Sequence, residues 1–305
     1  MKITEELKGV QRNVPLSKYS TVKIGGPAEY LYLPEDSQEL ANSVMIARKN
    51  NLSVTILGAG SNVLISDSGI KGLVIVSTKG KYEIVEDTNN VTKVVCDSGY
   101  SLQKLAVEMF DKGFVGLENF AGIPCSVGGA VYNNVHGVEK MFCDLVEWVE
   151  YLDKDNRVCR VTRDKCEFGY DVSTFQSNKG IILRVCLILR KGDGVLARAK
   201  WDEIRKKKLQ VQPQRSLGCA FKNLTSDVVK KHGFPTPSTG WYIENKLGMS
   251  EYRIGDAMIS QTHHNFIENV GNATASDYLQ VIKDVQAKSK KEFGITLEPE
   301  IQILG

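Results

Sequence analysis

The sequence predicts an α+β fold, and three observations carry that prediction. Short apolar or alternating runs such as "AEYLYLP" and "GLVIV" recur with turn residues between them, as strands require. Helical periodicity appears at separate places, in "DSQELANSVMIARKN", in "SLQKLAVEMFDKG" and from Ser276 to Phe293. Two glycine-rich loops, at Gly58 and at Gly122, stand where such elements end.

Taken in order, Ala28 to Pro34 alternates and reads as a strand. Asp36 and Glu39 form a capping box for a helix that sets Leu40, Val44 and Ala47 on one face. "SVTIL" returns as a strand and closes a β-α-β unit that ends in the first glycine loop. Strands follow at "GLVIV", "KYEIVE" and "VTKVVC". Next comes a helix with Leu102, Leu105 and Met109 on one face and Gly113 as its stop. "DLVEWVEYLD", "RVCRVT" and "IILRVCLILR" complete a first domain, 1–200, with two subdomains meeting near residue 75. The basic helix around Trp201 reads as a linker into a second domain, 201–305. That domain offers a strand at "CAFKN", a helix at "STGWYIENKLG" and a strand pair around "RIGDAMIS" and "NFIE". A long helix capped by Thr274 or Ser276 and stopped by Gly294 precedes a terminal strand in "LEPEIQILG".

Composition narrows the function. With 42% hydrophobic and 25% charged residues among 305, the chain is a globular protein with room for sizeable cores. Its net charge of +3 gives no argument for nucleic acid, and the runs "RKKK" and "KSKK" lie on the solvated faces of helical patterns. No secretory h-region is visible at the N-terminus, and no apolar run approaches the ~20 residues of a membrane span. Seven cysteines without a CxxC pair or a Cys/His cluster predict free thiols, a cytoplasmic location and no metal site.

"TILGAGSNVLISDSG" fits neither common phosphate-binding glycine pattern. A P-loop needs a lysine and a hydroxyl residue after its last glycine, and a Rossmann turn opens a helix. Here a β-branched run follows instead. Such a loop can hold an anion with nest amides and the Ser61 and Asn62 side chains, or it is a tight turn between strands. The second loop, "FAGIPCSVGGAVYNN", favours the first alternative. Two sets of backbone donors in one α+β unit suit one long ligand, and a dinucleotide with its diphosphate meets that requirement.

These segments carry a resemblance. "TVKIGGPAEY", "LGAGSNVLISDSGIKGLVI", "GIPCSVGGAVYNN" and "FGYDVSTF" occur in the order seen in UDP-N-acetylenolpyruvoylglucosamine reductases. So do "GCAFKN", "RIGDAMISQTHHNFIEN" and "LEPEIQILG", which takes the likeness from about Leu16 to Gly305. No long tyrosine loop follows "FGYDVSTF", so the chain resembles the shorter type. The resemblance implies a vanillyl-alcohol-oxidase-type FAD-binding fold followed by a C-terminal α+β substrate domain. It implies FAD and NADPH as cofactors, a UDP-sugar as substrate, a role in peptidoglycan synthesis and a monomer with no nucleic-acid or membrane partner. Gly58, Ala59, Gly60, Ser61, Asn62, Val63 and Leu64 would meet the FAD diphosphate. Gly122, Ile123, Pro124, Ser126, Val127, Gly128, Gly129 and Ala130 would form the second clasp, with Ile182 near the flavin ring. Cys219 and Glu300 would be catalytic, and Tyr170, Lys222, Asn223, Arg253 and His263 would meet the substrate.

At three positions the chain departs from the family pattern. Cys219 stands where the family carries its acidic serine. With an ordinary pKa of about 8.5, a thiol is the better acid, so proton donation survives on chemical grounds. The plainer alternative is a small core cysteine. Cys125 replaces a glycine. Asp171 replaces an arginine, setting a carboxylate where a cation would favour the substrate's developing charge. Either Arg253 or Lys222 serves instead, or Asp171 is neutral, or the enzyme is slow. A flavin oxidase of the same fold and a non-catalytic FAD- or UDP-sugar-binding relative are the other readings.

Overall fold

The computed structural model describes residues 3–88 and 90–305. Its contacts divide the chain into two units that the chain enters more than once. The first comprises Met1–Arg12, Tyr30–Ala59 and Gly72–Lys208, and the second Asn13–Glu29, Gly60–Lys71 and Leu209–Gly305. The division near residue 208 lies close to the expected one at 200 and 201, but the second unit also takes two earlier segments, which a linear division does not give. The Val63–Ile65 strand pairs in parallel with the terminal Gln302–Leu304 strand, which draws the 60–71 segment into the C-terminal unit.

In the first unit, Asp36 caps the Ser37–Lys49 helix, accepting from the amides of Gln38 and Glu39 at 3.0 Å. The expected reciprocal box is not made. The Glu39 carboxylate instead accepts from the Glu35 amide at 3.0 Å and the Tyr32 hydroxyl at 3.1 Å. Leu40, Val44 and Ala47 lie on the buried face of this helix, packed with Leu73, Ile75, Leu152 and Leu183. The Val54–Leu57 strand runs parallel to Leu73–Val76 and delivers the chain into Gly58.

A larger antiparallel sheet has the Ile181–Lys191 strand at its centre. The Val146–Leu152 strand lies on one side of it and the Val91–Asp97 strand on the other. The Leu102–Asp111 helix buries Leu102, Leu105, Ala106, Met109 and Phe110 in the core of this unit. The Gly194–Val211 helix belongs to the same core through Trp201. Its indole is 2% exposed and meets Phe110 edge-on at 5.7 Å. The expected linker is therefore a core helix, because one buried aromatic outweighs the solvated lysines on its other side.

In the second unit a four-stranded sheet takes the order Ser216–Cys219, Phe266–Asn269, Ala257–Ile259, Arg253–Ile254. The first strand stops at Cys219 and does not run through "CAFKN" as expected. The Ala275–Phe293 helix is closed at both ends. Thr274 and Asp277 form a capping box, and Gly294 ends the helix at φ +69°. Asp67 adds a second N-terminal anchor, accepting from the amides of Ala275 at 2.8 Å and Ser276 at 3.0 Å.

Trp201→Ala should lower the unfolding free energy by about 3–5 kcal/mol, the usual cost of emptying a buried aromatic site. The urea midpoint checks this at unchanged slope. A change within about 0.5 kcal/mol, as at a surface site, would restore the linker.

Candidate active site

The two glycine loops meet in the first unit at Gly58 and Ser126. A Cβ on Gly58 would stand 2.7 Å from the Ser126 Oγ. Ser126 caps the Val127–Tyr132 helix, its Oγ accepting from the Gly129 amide at 3.2 Å. Gly128 presses on Ser98, where a Cβ would approach to 2.6 Å, and its amide donates to the Ser98 carbonyl at 2.7 Å. The Ser98 amide in turn donates to Leu183 at 2.8 Å, beside the buried Ile182. Gln103 braces the other end, donating to the carbonyls of Phe120 at 3.3 Å and Ile123 at 2.8 Å and accepting from the Gly122 amide.

The loops differ in what they can offer a ligand. Among the described residues, the amides of Gly58, Ala59, Gly60, Ser61 and Asn62 donate to no protein acceptor. In the second loop the amides of Gly122, Ile123, Val127, Gly128, Gly129 and Ala130 all have protein acceptors. Pro124 has no amide hydrogen, which leaves Ser126 as that loop's donor among the candidates. The expectation of two sets of backbone donors is thus met mainly by the first loop. The first loop donates and the second shapes. Gly60 has to be glycine, because its φ is +65° and a Cβ would lie 2.0 Å from the Tyr19 carbonyl. Cys125 packs against the core, and burial pushes its thiol up to about 12, so it stays protonated.

In the second unit, backbone bonds bring the two expected catalytic residues to adjoining segments. The Glu300 amide donates to the Ala220 carbonyl at 2.9 Å, next to Cys219 at the end of its strand. The Asn62 side chain donates to the Glu300 carbonyl at 3.4 Å, and the Gln302 amide donates to the Asn62 carbonyl at 2.9 Å. Asn265 fixes the other flank, its side chain accepting from the Phe221 amide at 3.1 Å and donating to the Phe221 carbonyl at 2.8 Å. The Lys222 ammonium meets Glu298 at 2.5 Å, and the Asn223 side chain accepts from the Thr239 amide at 3.3 Å. His263 lies against Phe266 with ring centroids 4.4 Å apart at a 56° tilt; Phe266 pairs with Cys219, and burial holds the His263 imidazole below the ordinary range.

Other residues fall elsewhere. Arg253 lies three strands from the Cys219 strand, paired with Asp256 and donating to the Gly255 carbonyl at 2.6 Å. Arg253 and Cys219 thus stand on opposite edge strands of that sheet. Tyr170 is exposed and stacks on His136 at 5.1 Å. Asp171 meets His136 Nδ1 at 3.1 Å. Periodicity gave no sign of Tyr278, whose hydroxyl is buried without a hydrogen-bond partner. Burial, aided by the Cys219 thiol, holds that phenol far above its ordinary range.

A model described as "FAD binding domain" matches residues 28–162. A second, described as "UDP-N-acetylenolpyruvoylglucosamine reductase, C-terminal domain", matches residues 210–304. The curated reductase of that name from Pediococcus pentosaceus is 34% identical over 97% of this chain and 94% of its own. That from Lactobacillus gasseri is 36% identical over 97% and 94%. The chain belongs to the UDP-N-acetylenolpyruvoylglucosamine reductase family. The reductase structure from Thermus caldophilus superposes with a TM-score of 0.78 at 31% identity, covering 97% of this chain and 99% of that one.

FAD fits the residues present. Among the described residues, five consecutive amides lack backbone acceptors and Gly60 among them is left-handed, a set of donors an anion can use without a lysine. Gly58→Ala should therefore lower FAD occupancy by pushing on Ser126, while Gly58→Ala/Ser126→Ala should recover part of it. Flavin absorbance per chain checks both. Equal occupancy in all three proteins would separate this contact from cofactor binding.

Proposed function

We propose that this chain reduces the enolpyruvyl double bond of a UDP-N-acetylglucosamine enolpyruvate, giving UDP-N-acetylmuramate for peptidoglycan precursor synthesis. NADPH is the electron source. FAD, when bound, supplies the hydride chemistry. The protein's part is to hold the nucleotide sugar, exclude water and deliver one proton. Cys219 is the residue assigned to that proton. Its Sγ–H donates to the carbon next to the one that receives hydride, and the resulting thiolate regains a proton from solvent. Glu300, on the segment bonded to Ala220, steadies the enolic form of the substrate. Lys222 and Asn223 extend the same edge toward the nucleotide, and the neutral His263 offers a hydrogen-bonding ring behind Cys219.

The observation that carries this reading is the Ala220–Glu300 backbone bond, which sets a thiol and a carboxyl on adjoining segments. Family membership supports it independently. Among the described residues no helix is long and apolar enough to cross a membrane. We read the chain as a cytoplasmic monomer.

Cys219→Ser should remain active, since a hydroxyl can donate from the same place. Cys219→Ala should slow flavin reoxidation by the enolpyruvyl nucleotide by ~10²–10⁴, the usual worth of a positioned acid, with reduction by NADPH unchanged. Stopped-flow flavin absorbance separates the two half-reactions, and equal rates for alanine and wild type would move the proton donor elsewhere. Glu300→Gln should slow the same half-reaction by on the order of 10²–10³. Equal slowing of both half-reactions would remove Glu300 from its role.

A further inference from the structure

Thr21 lies outside both glycine loops, yet it joins the first of them to the strand that ends at Cys219. Its amide donates to the Gly60 carbonyl at 3.1 Å, and its Oγ1 donates to the Ser216 carbonyl at 2.5 Å. Thr21, Gly60, Ser216 and Cys219 all belong to the second unit. The same hydroxyl stands 3.4 Å from the Gly60 carbonyl, but it carries one hydrogen, and the shorter contact takes it.

The strand depends on such a tie. Ser216–Cys219 is an edge strand, with Phe266–Asn269 as its neighbour in the sheet. The two pair at Ser216 and at Cys219, with a break in register between, where Gly218 takes φ +82°. The Arg215 carbonyl accepts from the Asn269 amide at 2.9 Å, so the next carbonyl, that of Ser216, faces off the sheet edge. Thr21 is the donor that meets it there. Beyond Cys219, the Ala220 amide donates to the Asn265 carbonyl at 2.6 Å, and the Ala220 carbonyl accepts from Glu300. Cys219 is thus held from both ends of an irregular strand, and Thr21 is the tie at the near end.

Thr21 is itself firmly placed. Val22 and Ile24 are buried in the core of this unit, and the Asn269 side chain donates to the Val22 carbonyl at 2.9 Å. On the loop side, a Cβ on Gly60 would meet the Tyr19 carbonyl and the Ser20 Cα, so the two segments pack backbone to backbone. We propose that Thr21 is a positioning residue for proton delivery by Cys219, its hydroxyl fixing the start of that strand against the first glycine loop. This inference rests on the reductase reading, because Cys219 has its task only there.

The test is stopped-flow flavin absorbance on the holoenzyme, with reduction by NADPH and reoxidation by the enolpyruvyl UDP-sugar recorded separately. Thr21→Val keeps the shape and drops the donor. It should slow reoxidation by about 10-fold, inside the ~10²-fold that a 1 Å misplacement can cost, and leave reduction within about 2-fold. Thr21→Ser, which restores a hydroxyl, should recover most of the rate. In a Cys219→Ala background, Thr21→Val should add less than about 2-fold, since residues that act through one group are not additive. The full 10-fold in that background, no effect on its own, or equal slowing of both half-reactions would overturn the assignment and leave Thr21 a structural residue. Should the valine variant lose its flavin, Thr21→Ala, with room for water at the Ser216 carbonyl, carries the same expectations. Loss of flavin from both would also overturn it, because each keeps the amide that holds Gly60. A wild-type flavin that NADPH reduces and the nucleotide never reoxidises would instead sink the reductase reading itself.

Discussion

Backbone hydrogen bonds around Glu300 are the constraint on which the second unit's chemistry depends. The amide of Glu300 is held by Ala220 at 2.9 Å and its carbonyl by the Asn62 side chain at 3.4 Å, while Gln302 holds the Asn62 carbonyl at 2.9 Å. They join three segments far apart in sequence, Asn62 and Glu300 being 238 residues apart. Because two of the three bonds are main chain to main chain, side-chain identity at Cys219 does not enter them. A thiol can therefore stand in a serine's place without disturbing the frame. Such bonds add only about 0.5–1.5 kcal/mol each net, so their contribution is to position more than to stability.

The glycine loops divide one task between them. In the second loop the amides turn inward to Ser98, Tyr100 and Ser126, which makes a rigid wall and a short capped helix. In the first, five successive amides keep their hydrogen-bonding capacity. These are the donors that the proposed FAD diphosphate would use, and a preorganised set of donors loses little entropy in receiving an anion. This explains why neither loop contains a lysine or arginine.

Local features were legible in the sequence because local physics decides them. The helix from Ala275 to Phe293 is bounded by the Thr274 cap and the Gly294 stop that its residues announce. The tight-turn alternative for the first glycine loop names a residue type whose conformation Gly60 takes, at φ +65°. Long-range features left weaker marks. Nothing in "NVLIS" says that Val63–Ile65 pairs with the last strand of the chain, so its place in the second unit was not visible. Trp201 sat among lysines and arginines, and only its 2% exposure shows it to be core. Arg253 looked like a spare cation until its strand order placed it at the far sheet edge. The contact of Asp171 with a histidine 35 residues earlier could not be foreseen from spacing.

The account's central claim is that one chain carries electrons from NADPH to an enolpyruvyl nucleotide. The most direct measurement adds the two reactants in turn to wild-type holoenzyme without oxygen, while flavin absorbance is recorded. The account predicts bleaching on NADPH, then recovery of the oxidised spectrum on the enolpyruvyl UDP-sugar, with one UDP-N-acetylmuramate formed per flavin. A flavin that bleaches and stays bleached after the nucleotide is added would contradict it.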